Sequence, residues 1–317
     1  MIYNPECQVC GTRVMKRSKH HVRNFFSERA TQWVDFYADA EPRTIITQNL
    51  SSRQRFTLEL VEGAIPASSR ILDAGCGSGV TAAKLMQRGY AVWGIDLAEP
   101  MIREARDLCG TDQFGVGDIE HIPFGDNTFD GVVSLGVIEY QESDEQTLRE
   151  IHRVLIPGGR AVIAIPNGRS PVRRIDDAVS GVVAVLRSAN DVLRYRLHGR
   201  PAPVRGIPAG PVGRRFHRQR WLLLLRSLGF EPEEWICHGW GWFRSPLGRL
   251  VQPLFKTQAV FRRAIERLLG RALVSRISGR LIRSPARNWL AAEQIVRVRA
   301  IKEEIGGAAD PASGTSA

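Results

Sequence analysis

In the run ILDAGCGSG, residues 71–79, an apolar stretch ends at Asp73 and leads directly into Gly75, Gly77 and Gly79. Glycines there let a chain turn sharply at the end of a strand and let a ligand approach bare backbone that a Cβ would cover. Asp96 stands 19 residues beyond Gly77, at the end of AVWGID, and a carboxylate at that offset can accept both hydroxyls of a ribose. Asp118 closes a third apolar stretch in GVGDIEHIPFGDNTFD, where an acid can accept from the exocyclic amine of an adenine while Ile119 packs on the ring. A nicotinamide-type pattern would need Gly-x-Gly-x-x-Gly, but its third glycine falls on Val80, which weakens that alternative.

Such residues need strand ends to hold them. Strands are expected at 70–74, 91–95, 113–117, 130–135 and 160–166, with helices at 79–88, 99–108 and 144–155 between them. Alternation at this spacing implies an α/β fold, a Rossmann-like doubly wound, mostly parallel sheet. A helix at 221–228, a sixth strand at 231–240 and a last strand at 295–302 (IVRVRAIK) complete seven strands. The organisation read from the sequence is an N-terminal segment with lid helices (1–65, including one helix at 44–62), a core (66–166) and a helical insertion (167–216). The core then continues (217–245), followed by a second, basic amphipathic helical insertion (246–290), the final strand (291–304) and a disordered tail (305–317).

The blocks LDAGCGSG, GIDLAEPMI, GDIEHIPFGDNTFD, GVVSLGVIEY and EIHRVLIPGGRAVIAIPN occur in this order between about Arg70 and Asn167. In these blocks the chain resembles the class I methyltransferases, within them the small-molecule and quinone-type group called type 11. The resemblance implies S-adenosylmethionine as cofactor, with Gly75 and Gly77 facing its methionine part, Asp96 the ribose, and Asp118 with Ile119 the adenine. It further implies that Leu135 and Gly136 line the methyl-donor site and that Asp73, Cys76, Gly79 and Leu97 complete the contacts. The family often has a histidine where this chain has Tyr140, so that histidine's role does not transfer.

Methyl transfer from a sulfonium is an in-line displacement in which alignment matters most. A phenol or alcohol acceptor must also lose a proton, and His217, Tyr140 and Glu139 are the candidate residues to take it. His217 lies in RRFHRQR, where the alternative is an ordinary surface histidine. The acceptor expected is an oxygen, with a carbon as the second choice, of a lipid, quinone or other small hydrophobic metabolite. RNA or protein methylation docked by the basic half is a second reading, and an inactive cofactor-binding scaffold a third.

The formal charge of +11 is uneven: residues 1–166 carry 17 Lys/Arg against 22 Asp/Glu, and residues 167–317 carry 27 against 11. The basic half suits an anionic partner. Between 246 and 283, arginines alternate with apolar residues at helical spacing, a pattern that either covers the sheet or lies on an anionic membrane surface. Nucleic acid fits less well, because SLGVIEY stands where base-amine methyltransferases carry Asn/Asp-Pro-Pro-aromatic. No run reaches the roughly 20 apolar residues of a membrane span. Five cysteines without a leader-like segment point to a cytoplasmic location, extended by the basic segment to a peripheral one at the inner face of the membrane. Cys7 and Cys10 form a CxxC knuckle that would bind zinc if His20 or His21 joined it, although mobile free thiols are the simpler alternative.

Overall fold

The computed structural model describes residues 19–31, 33, 45–170, 214, 216–239, 291 and 293–302, with eight further positions between 174 and 186. One sheet contains β1 (Arg70–Ala74), β2 (Ala91–Asp96), β3 (Phe114–Val116), β4 (Phe129–Leu135), β5 (Leu155–Pro166), β6 (Phe230–His238) and β7 (Glu293–Ala300). Their spatial order is β3-β2-β1-β4-β5-β7-β6. The first five strands pair in parallel, whereas β7 runs antiparallel to both β5 and β6. This is the mostly parallel seven-stranded architecture expected, with β7 as its one antiparallel strand.

The described helices are α1 (Lys19–Ser27), α2 (Ile45–Glu62), α3 (Val80–Met86), α4 (Glu99–Cys109), α5 (Asp144–Val154) and α6 (Arg218–Ser227), with a 3-10 turn at Ile138–Tyr140. They cover both faces of the sheet. Leu72, Val132, Ile163 and Val296 pack against Leu148 and Ile151 of α5 and Trp221 and Leu225 of α6. Their neighbours Ile71, Val133, Val162 and Ile295 point the other way, toward Leu60 of α2, Leu85 of α3 and Ile102 of α4. Successive strand residues face opposite sides, so a strand covered on both sides must be apolar at consecutive positions, as in β1. Each fully buried Leu or Ile contributes about 1.5–3 kcal/mol.

Local signals fix the ends of the elements. Ser143 Oγ accepts from Gln146 N at 3.1 Å to start α5, whose first turn holds Asp144 and Glu145 and whose last holds His152 and Arg153, complementing the helix dipole. α4 stops at Gly110, with φ 65°, where a Cβ would be strained. β5 begins at Leu155, earlier than the expected residue 160. Leu155 already pairs with Phe129, and the register shifts before Gly131, so Pro157, Gly158 and Gly159 sit in an irregularity rather than a loop. β7 likewise begins two residues early, because the polar Glu293 and Gln294 at its head are buried. Among the described residues no helix is long and apolar enough to cross a membrane. Residues 1–18, the insertion at 246–290 and the tail at 305–317 lie outside the described residues, as does most of the 167–216 insertion.

Candidate active site

Strand order reverses between β1 and β4, since β1 continues outward to β2 and β3 while β4 starts the other half. Such a switch point leaves a crevice beyond the carboxyl ends of the strands. Gly75, Gly77 and Gly79 turn there with φ of 84°, 53° and 77°. A Cβ on Gly75 would lie 2.3 Å from Val137 Cγ2, and one on Gly79 would lie 2.9 Å from Ala105, whereas one on Gly77 would meet nothing within 4 Å. Gly75 is thus required by packing against the turn after β4. Gly77 bares left-handed backbone to open space, which is what a closely held ligand needs.

Asp96, at the end of β2, braces this turn: Oδ2 accepts from Gly77 N at 3.0 Å and Oδ1 from Ala98 N at 2.9 Å. Desolvation raises its pKa, opposed by the backbone N–H groups of Ala98, Gly77 and Leu97, although its side chain and that of Leu97 keep an open edge. Asp73, at the end of β1, is 2% exposed. Burial, and then the charge of Asp96, push its carboxyl up to about 7, and Oδ2 has no hydrogen-bond partner among the described residues. A buried acid oxygen left without a donor marks a place that a ligand completes. The thiol of Cys76 is pushed well up by burial and then by the charges of Asp73 and Asp96, which makes it an uncharged wall of the turn.

Asp118 lies just beyond β3. Its Oδ1 accepts from Glu120 N at 3.0 Å, and its Oδ2 pairs with Lys19 of α1, which also pairs with Glu120. Ile119 is buried in the core below it, so its side chain braces the Asp118 turn from beneath. The N-terminal helix therefore reaches the edge where an adenine is expected.

The tip of β4 is different in kind. Gly136 follows Leu135 with φ 70°, and a Cβ there would meet Arg53 Nη1 at 2.3 Å and Glu139 Oε1 at 3.6 Å. Arg53 comes from α2 and donates through Nε to Glu293 Oε2 at 3.1 Å and through Nη2 to Glu293 Oε1 at 3.2 Å. His238 Nε2 stands 3.4 Å from Glu293 Oε2, with its ring 5.7 Å from that of Phe56. All four of these ionisable side chains are less than a tenth exposed. Sequence reading missed Arg53, Glu293 and His238. Glu293 and His238 were marked only as ionisable residues at the ends of β7 and β6, and Arg53, inside α2, carried no signal.

The three proton-acceptor candidates separate. Glu139 lies at the Gly136 turn. Tyr140 is half-buried and packs edge-on against Phe26 of α1, with ring centroids 5.7 Å apart. His217 is exposed at the start of α6 and makes no side-chain cap bond, although Phe216 beside it donates its N–H to Pro166 O at the end of β5. Of the zinc candidates, Cys7 and Cys10 lie outside the described residues. His20 and His21 are exposed on α1, and the His20 ring contacts Asn24. Among the described residues no three His, Cys, Asp or Glu side chains gather as a metal site.

The open backbone at Gly77, the unpartnered oxygen of Asp73 and the carboxylate of Asp96 fit S-adenosylmethionine, whose methionine amine and ribose hydroxyls are donors. Residues 72–163 match the type 11 methyltransferase domain family. The chain is 38% identical over 106 residues to a malonyl-[acyl-carrier protein] O-methyltransferase of Erwinia pyrifoliae, covering 33% of this chain and 40% of that protein. With its namesake from Enterobacter lignolyticus it shares 32% over 160 residues, covering 48% and 64%. The matched stretch thus spans about half the length of these relatives. The magnesium protoporphyrin IX methyltransferase of Synechocystis PCC 6803, solved with bound SAH, shares the fold with a TM-score of 0.55 at 15% identity, covering 89% of this chain and 100% of that one. The glycine turn, the acid after β2 and the sheet order are thus those of a class I S-adenosylmethionine-dependent methyltransferase domain of type 11, which this chain carries.

Proposed function

We propose that the protein transfers a methyl group from S-adenosylmethionine to an oxygen of a small molecule. The observation that carries this reading is the Gly77 turn: positive-φ backbone facing open space, tied to a carboxylate, at the switch point of the sheet. The names of the two O-methyltransferase relatives support oxygen as the acceptor atom.

When bound, the cofactor supplies a methyl group already activated on a sulfonium. The residues of the chain bind and orient. Gly75 and Gly77 shape the methionine seat, Asp96 accepts from ribose hydroxyls, and Asp118 accepts from the adenine amine. Leu135 and Gly136 line the transfer end. There Glu139 is placed to hold the proton of a hydroxyl acceptor, while an acceptor that is already a carboxylate needs no base. The main contribution to rate is alignment in a crevice that excludes water.

The test incubates purified full-length protein with methyl-labelled S-adenosylmethionine and a lysate of its own host, then separates organic-soluble, nucleic-acid and protein fractions. Label in small molecules is expected, in the organic phase if the acceptor is a hydrophobic metabolite such as a lipid or quinone. Label confined to RNA, or to protein from which neutral hydroxylamine releases none as a thioester-bound acyl group, would overturn the small-molecule reading. Binding of the cofactor with no label anywhere would overturn catalysis in favour of a scaffold.

A further inference from the structure

At the edge where an adenine is expected, Asp118 already has its donors. Its Oδ1 accepts from Glu120 N at 3.0 Å. Its Oδ2 accepts from the ammonium of Lys19 in the first turn of α1, while His121 Nδ1 stands farther off at 3.8 Å. The same ammonium pairs with Glu120, a buried carboxylate whose Oε1 accepts from Ser143 N. Burial works against the charge of Lys19, but its bonds to the two carboxylates outweigh that and raise its pKa, so the pairing is that of a full ammonium. The rest of α1 is held by other means. Phe26, with Ala30 and Trp33 after the helix, packs against Ala98 and Met101 at the start of α4. Thr31 Oγ1 donates to Glu104 Oε1 at 3.2 Å, and Phe26 meets Tyr140 edge-on. α1 therefore runs from the adenine edge to the turn after β4, anchored at its far end by packing and clasped at its near end by one lysine.

We propose that Lys19 is a built-in competitor of the cofactor: its ammonium holds the Asp118 oxygen that the adenine amine takes on binding. This rests on the reading that Asp118 accepts from the adenine. An ammonium has three donors and no acceptor, so it cannot bond the exocyclic amine, and the two meet at one carboxylate as rivals. The ammonium makes the stronger, charge-assisted bond. The empty site is thus closed by its own lysine, and the cofactor binds more weakly than the bare carboxylate would allow. Lys19 keeps Glu120 as a partner after the exchange, so seating the adenine opens one contact and leaves the packed end of α1 in place.

The test is calorimetric titration of the full chain with S-adenosylmethionine and, separately, S-adenosylhomocysteine, in wild type, Lys19→Met, Asp118→Ala and the double variant. Methionine keeps an apolar stem at position 19 and removes the ammonium. Lys19→Met should bind both ligands about three- to tenfold more tightly. In the Asp118→Ala background, which has no carboxylate to hold, the same replacement should change affinity by no more than about twofold. Unchanged or weaker binding by Lys19→Met overturns the competition. So does a gain confined to the cationic S-adenosylmethionine, which is charge repulsion alone, or a gain that persists in Asp118→Ala. Should Lys19→Met fail to fold, the salt dependence of wild type decides. Rising salt screens the ion pair, so S-adenosylhomocysteine, which carries no net charge, should bind about twofold more tightly, and constant or weaker binding overturns the proposal. Two outcomes strike the readings beneath it instead. If the double variant binds as tightly as Lys19→Met, Asp118 is not the adenine acceptor, and if wild type binds neither ligand, the cofactor reading fails.

Discussion

The half of the cleft edge at β1 and β2 and the half at β4, β7 and β6 are built by opposite means. In the first, backbone does the work. Asp96 holds Gly77 from 19 residues away, and three positive-φ glycines set the shape. In the second, side chains do it: Arg53 meets Glu293 across 240 residues, and no local spacing relates them. A backbone site is damaged chiefly by adding atoms, whereas a charge cluster is damaged chiefly by removing a partner. The two halves should therefore fail differently.

The largest effect is expected on the side-chain half. Glu293→Ala leaves the buried guanidinium of Arg53 without its bidentate partner, and should destabilise the protein by about 3–5 kcal/mol, read from urea unfolding followed by circular dichroism. Adding Arg53→Met should recover at least about 1 kcal/mol, since the double variant buries no orphaned guanidinium. A loss below about 0.5 kcal/mol in the single variant would show that the pair is solvated and the contrast between the halves is false.

Next comes a pH effect from the backbone half. The carboxyl of Asp73 titrates near 7 in the folded chain, against about 3.9 in an unfolded one. Because the folded state holds this proton more tightly, the stabilisation is complete below pH 4 and is lost as pH rises through 7. The raised pKa of Asp96 acts in the same direction. Linkage gives a loss of up to about 4 kcal/mol from Asp73. Melting temperatures of the ligand-free protein should fall between pH 4 and pH 8, and Asp73→Asn should flatten that slope. A parallel slope in the variant would remove Asp73 as its source. A cationic ligand reverses the balance, so binding near pH 6 should release a proton, detectable by calorimetry in two buffers of different ionisation enthalpy.

Two glycines sharpen the same half. Gly75→Ala combines left-handed strain with a 2.3 Å clash against Val137, and should cost about 2–4 kcal/mol. Gly77→Ala meets open space and should cost only about 1 kcal/mol, yet it should weaken S-adenosylmethionine binding at least about tenfold by placing a methyl where the ligand lies. Equal stability losses in the two variants would mean that Gly77 too is needed for packing.

How much could be read from the chain follows the same division. β1, β2 and β4 were evident because buried parallel strands are apolar at consecutive positions, and the Gly77 to Asp96 offset was evident because strand and turn geometry impose it. Arg53 was invisible. It sits two residues from Arg55 in SSRQRF, and only the first is buried, a difference that depends on Gly136 lying opposite. Glu293 and Gln294 concealed the head of β7 for a similar reason, since polar residues argue against a buried strand unless their partners are known. The parallel core has local rules, and the clustering of charge at its edge has none.

The smallest expected effect separates two histidines, His217, which the sequence singles out, and His238, which it does not. His217, offered by the sequence as a proton acceptor, is exposed at the start of α6 and caps nothing with its side chain. Replacing it with alanine removes no buried contact, so stability should change by no more than about 0.5 kcal/mol. Its S-adenosylmethionine affinity should be indistinguishable from wild type. His238 is 1% exposed and 3.4 Å from Glu293, and truncating it opens a cavity beside a buried carboxylate, for about 2–4 kcal/mol. Should His217→Ala instead slow labelling of the small-molecule fraction while leaving cofactor affinity intact, the side-chain half would extend from β6 across the end of β5 to the solvent rim. A proton would then leave the acceptor through an exposed imidazole rather than through Glu139.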